Sequence, residues 1–145
     1  GPIADLPSEV MENQLNLGIV VVEQDGLVTQ VSEYLQTLKV YPFKATDQDT
    51  LKAVLERTSP KYIFVDESLS DFSNSFQFVY NMEAKKRFDT FVVLLSSKLP
   101  TGDTKSAFAY SVDLVVSQGD LGQLAGLCDH ALAEKNIMLE PWRRL

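Results

Sequence analysis

Leu17-Gly18-Ile19-Val20-Val21-Val22 is a short, nearly continuous apolar run that stops at Glu23-Gln24-Asp25-Gly26. A strand with one wet face alternates apolar and polar residues, whereas a strand covered on both faces does not, so this run predicts an inner strand of a parallel sheet. Leu27, Val28, Val31, Tyr34, Leu35 and Leu38 follow at helical spacing, as one stripe of an amphipathic helix. The alternation then repeats. Val40 to Ala45 reads as a second strand, and its Pro42 places it at an edge or a strand end. Leu51, Val54 and Leu55 give a helix its inner face, with Thr46, Asp47 or Asp49 as N-cap and Ser59-Pro60 as its stop. Tyr62 to Val65 is a third strand, Phe91 to Leu95 a fourth, and Val112 to Val116 a fifth, broken by Asp113. Ser70 to Ser75 is loop-like before a third helix with Phe76, Val79, Tyr80 and Met82 on its buried side. Thr104 to Ser111 is a short helix, and Leu121, Leu124, Ala125, Cys128, Ala131 and Leu132 mark the last one.

Strand–helix units in series need right-handed crossovers, which predict an α/β domain: a flavodoxin-like, doubly wound, five-stranded parallel sheet in the order 2-1-3-4-5 with helices on both faces. Residues 17–137 are expected to form this domain, 1–16 a linker or extra helical segment, and 138–145 a tail or linker. Gly1-Pro2 reads as a protease-cleavage scar, which implies a chain cut from something longer.

Composition narrows the function. The 145 residues carry a formal net charge of -7, and the only basic groupings are Lys85-Lys86-Arg87 and Arg143-Arg144. Each is short and reads as a solvated helix end, so nucleic acid is not an expected partner. Lone Cys128 and lone His130 exclude an internal disulfide and a four-ligand zinc site of the usual kind, and point to a cytoplasmic setting. No apolar run is long enough to span a membrane. Cys128 reads as core and His130 as a solvent-facing helix residue. Phe78 and Phe108 are candidates for an exposed contact patch. No set of nucleophile, base and acid emerges, so the chain is not expected to be an enzyme.

In such sheets, functional groups gather beyond the carboxyl ends of the strands. Those ends supply Glu23 and Asp25, Asp66, Ser96 and Ser117. Asp66, directly after Tyr62-Ile63-Phe64-Val65 and before a short loop into a helix, resembles the phospho-acceptor of the two-component receiver domain. The resemblance runs from about Leu17 to Glu134 and is of the chemotaxis-regulator kind. It implies that the family's acidic pair falls on Glu23 and Gln24, its hydroxyl switch on Ser96, its lysine-proline pair on Ser117-Gln118 and its aromatic switch on Leu114. It further implies a Mg²⁺ site on Glu23, Asp66 and Ser68.

Three of these positions are degenerate. Gln24 replaces an acid, Ser117 replaces the lysine and Leu114 replaces the ring. An aspartyl phosphate concentrates negative charge that a metal and an ammonium offset, so the pattern implies a pseudo-receiver with at most a weak Mg²⁺. Its expected partners are proteins: a histidine kinase, other domains of the same chain, or a second copy. A working receiver phosphorylated on Asp66 by a histidine kinase with Mg²⁺ is the alternative. A small-molecule sensor on the same fold is a third reading, against which stands the acidic Glu23-Gln24-Asp25-Gly26 turn where a phosphate would bind.

Overall fold

The computed structural model describes residues 6–12 and 15–145. Strand β1 (Asn16–Val21) is buried at every residue after Asn16, because helices cover both its faces. Helix α2 (Asp25–Thr37) follows, then β2 (Val40–Lys44), α3 (Gln48–Arg57) and β3 (Tyr62–Asp66). Two helices, α4 (Phe72–Tyr80) and α5 (Ala84–Asp89), precede β4 (Phe91–Ser96). Helix α6 (Thr104–Tyr110), β5 (Leu114–Ser117), a 3₁₀ segment (Gln118–Gln123) and the long α7 (Leu124–Arg143) complete the described chain, which opens with the short α1 (Ser8–Met11). The sheet is parallel, in the order β2-β1-β3-β4-β5, as the apolar runs predicted.

Side chains alternate across the sheet and make two cores. Ile19, Val21, Ile63, Val65, Val92 and Leu94 face α3 and α4, where Leu51, Val54, Phe76 and Val79 meet them. Val20, Val22, Phe64, Val93 and Leu95 face α2 and α7, against Leu27, Val31, Leu35, Leu124 and Cys128. Cys128 is fully buried and its thiol is pushed up to about 12, chiefly by desolvation, so it stays protonated and inert. Leu6 and Val10 join the first core.

Three helical assignments shift. Helix α4 begins at Phe72, inside the stretch expected to be loop, because Phe72 stacks on Phe76 one turn later at 5.2 Å between ring centroids. Tyr80 is 56% exposed and Ala125 is also exposed, so neither belongs to its helix's buried face. Phe78 is only partly exposed and packs on the first core, whereas Phe108 stands 88% exposed on α6.

Gly18 lies where β1 meets α2. A methyl there would sit 2.7 Å from Leu35 Cδ1 and 3.2 Å from Val40 Cγ1, and Leu35 is fully buried with little room to turn. Gly18→Ala is therefore expected to lower stability by about 1–3 kcal/mol through overpacking. Urea unfolding measures it; a variant as stable as the parent contradicts this packing.

Both margins of the sheet are modified. Pro42 on β2 lacks an N–H to offer outward. Beside β5, the loop after β4 folds back: Gly102, held at φ 76°, donates its N–H to the Val115 carbonyl at 2.9 Å, and Ser117 donates its N–H to Thr101 Oγ1 at 2.9 Å. Glycine is suited to that left-handed backbone.

Candidate functional site

Strand ends β1, β3, β4 and β5 lie in one row, and the acids and hydroxyls that follow them lie at that end of the sheet. Asp66 is 2% exposed. Its Oδ1 accepts from the Ser68 N–H at 2.9 Å, the Ser68 hydroxyl at 2.7 Å and the Gln118 side-chain amide at 3.1 Å. Every one of these donors is neutral. Among the described residues no lysine or arginine hydrogen-bonds to Asp66.

Glu23 leans on the same loop. Its Oε1 accepts from the Ser70 hydroxyl at 2.7 Å and the Ser70 N–H at 3.3 Å. The loop from Asp66 to Ser70 thus ties both carboxylates down. Gln24 is exposed at the N-cap of α2 and makes no capping bond with its side chain. Asp25 opens that helix and is exposed.

Ser96 is fully buried but serves another acid. Its hydroxyl donates to Glu67 Oε1 at 2.7 Å and accepts from the Leu99 and Lys98 N–H groups at 2.9 and 3.1 Å. The Tyr110 hydroxyl reaches the other Glu67 oxygen at 3.5 Å, which joins α6 to the end of β3. Burial and the neighbouring Glu67 carboxylate raise the Tyr110 pKa and keep it protonated. Ser117 contributes its backbone to Thr101, and Leu114 is half-buried against the second core.

Sequence reasoning missed Glu67, and it placed Gln118 only by resemblance, without its bond to Asp66. Glu67 had only its place beside Asp66 as a signal, and Gln118 only its place after Ser117. His130 lies on the outside of α7, paired with Glu134 at 2.9 Å. Among the described residues no group of three or more His, Cys, Asp and Glu side chains is arranged to hold a metal. None of the described helices is long and apolar enough to cross a membrane.

The sheet order and the disposition of helices define the flavodoxin-like receiver fold. Within that fold, the chain is similar to a response regulator from Thermotoga maritima, with 17% identity, a TM-score of 0.61, and coverage of 82% of this chain and 98% of that one. It is also similar to an orphan response regulator of H. pylori, with 12% identity, a TM-score of 0.60, and coverage of 81% and 96%. The signal receiver domain of a DNA-binding response regulator from Colwellia psychrerythraea matches at 9% identity and a TM-score of 0.64, over 81% and 98%. At these identities the likeness is one of fold. No protein-family model matches the sequence, and no curated protein does.

Proposed function

We propose that this chain is a receiver-like signalling domain that acts by contact with other proteins, with impaired or absent phosphorylation at Asp66. The observation that carries this reading is the set of donors around Asp66: two from Ser68 and one from Gln118, all neutral. Phosphoryl transfer to a carboxylate depends on positive charge placed where negative charge develops. Glu23 and Asp66 are the charged oxygens left for a divalent ion, with Ser68 beside them, and both already accept hydrogen bonds from the loop. Mg²⁺ would need more oxygen ligands than these, so this set suits a weakly held ion with a largely aqueous shell. The domain is not an enzyme in this reading. Its partners are a histidine kinase, a neighbouring domain or a second copy, met through the face of α6, β5 and α7, where Phe108 is exposed.

Titration with Mg²⁺ and beryllofluoride or acetyl phosphate, followed by amide NMR, tests the proposal. Shifts should be absent or confined to the Asp66–Ser70 loop. Shifts spreading from Asp66 to Ser96 and α7 would instead establish a working receiver, the alternative that the retained Ser96 hydroxyl keeps open.

A further inference from the structure

The two basic groupings of the sequence meet in the fold, at the opposite end of the sheet from Asp66. Lys85, Lys86 and Arg87 lie on α5, and Arg143 closes α7. The Arg143 guanidinium stands 5.9 Å from the Phe88 ring centroid and 3.9 Å from Asp89. Two grooves open there. One, of about 490 Å³, runs between the start of β3 and α7, with Lys61, Lys135 and Arg143 on its polar side and Tyr62, Phe88 and Leu132 on its apolar side. The other, of about 450 Å³, runs between α1 and α5, with Lys61, Lys85 and Lys86 facing Val10, Leu17 and Pro60. They adjoin at Asn16, Lys61 and Asp89, the residues they share, and together make a surface channel.

Among the described residues five cations line this channel against two acids, Glu83 and Asp89, in a chain whose formal net charge is -7. Three of the cations are already engaged, Arg143 by Asp89 and by the Asn136 side-chain oxygen at 2.9 Å. Lys135 donates to Asp113 Oδ2 at 3.1 Å and to the Thr90 carbonyl at 2.8 Å, and Lys86 donates to the Leu55 and Glu56 carbonyls at 3.1 and 3.3 Å. Lys61 and Lys85 are exposed and make no hydrogen bond or ion pair through their side chains among the described residues.

We infer that this channel is a docking surface for an acidic, extended peptide segment of a protein partner, with apolar side chains seated beside Phe88 and Pro60. Charge complementarity selects the sign of the partner, and the apolar walls select a peptide over a nucleic acid. Nucleic-acid interfaces are more uniformly basic than this, and Glu83 and Asp89 would face phosphates. The inference does not depend on whether Asp66 is ever phosphorylated.

A library of random 12-residue peptides selected on the intact chain at low salt tests it. The enriched peptides should be acidic with at least one aromatic or aliphatic residue. Their affinity should fall about tenfold for the double variant Lys61→Glu, Lys85→Glu, which leaves the core untouched and should melt like the parent. Phe108→Ala should leave their binding unchanged. The inference is overturned if the selected peptides show no acidic excess, or if acidic ones bind the double variant as well as the parent. It is equally overturned if random-sequence 12-nucleotide DNA occupies the channel more tightly than the peptides. Sedimentation showing that copies of the chain fill the channel, with dissociation on Lys61→Glu, overturns it in favour of self-association.

Discussion

Asp113→Ala is expected to destabilise the domain by about 3 kcal/mol, near the lower end of the cost of stripping one partner from a buried charge cluster. Asp113 Oδ2 accepts from the Val92 N–H at 2.8 Å, Arg87 NH1 at 3.0 Å and Lys135 Nζ at 3.1 Å. The side chains of Arg87, Asp113 and Lys135 are only 23%, 17% and 15% exposed, so water replaces the carboxylate poorly. The alanine variant leaves two cations facing each other and the N–H near the start of β4 without its side-chain acceptor. For a chain of this size the loss corresponds to a fall of about 10 °C in the thermal midpoint. Asp113→Asn keeps an acceptor for Val92 and should cost less.

The pH dependence follows from Lys135. Desolvation lowers its pKa, and Asp113 opposes that lowering while Arg87 and Arg143 add to it. Without Asp113 the folded pKa drops further below the unfolded one. The unfolded chain then binds the proton more tightly, so the variant's stability rises with pH over that interval. Its deficit should narrow in the alkaline range. A loss under about 1 kcal/mol in denaturant titrations, or a deficit that widens with pH, would show that the cluster is solvated and carries little.

Adding charge beside Asp66 should have the second large effect. The double variant Gln24→Asp, Ser117→Lys is expected to react with acetyl phosphate at least about 100-fold faster than the parent, since one well-placed charge-stabilising group in such a site is worth roughly that factor. Gln118 already reaches Asp66 Oδ1 at 3.1 Å, and a lysine from the neighbouring position at the end of β5 is one bond longer. It can displace the amide and bring an ammonium to the carboxylate. Gln24→Asp adds a second acid next to Glu23, and a further charged oxygen favours a divalent ion. Asp66→Asn in the same background should abolish the gain. Two outcomes sink the account: a parent that is phosphorylated as fast as the double variant, or a double variant no faster than the parent.

The parts of the fold that were legible rest on short-range patterns. Leu17–Val22, Tyr62–Val65 and Phe91–Leu95 are apolar without alternation, and only strands covered on both faces can be so. The place of Asp66 at the end of β3 was legible for the same reason. The misread stretch, Phe72-Ser73-Asn74-Ser75, lacks strong helix formers, and tertiary contact overrides its weak propensity: Phe72 and Phe76 also meet Tyr110 edge-on at 6.1 and 5.8 Å. Asp113 looked like a flaw in a strand and is an ionic anchor. The Gln118–Asp66 bond joins residues 52 apart in sequence, and the contact of Arg143 with Phe88 is equally long-range. Local periodicity carries no record of either pairing.

The folded-back loop at Gly102 and the proline in β2 have a consequence for how such domains meet. A bare strand at the rim of a sheet is a template on which any other extended chain can lengthen the ladder. Here Gly102 and Thr101 occupy backbone groups on the outer side of β5, and Pro42 interrupts the other rim. Growth by adding strands is thereby discouraged at each end. Recognition is then left to side chains, whose chemistry can tell one neighbour from another.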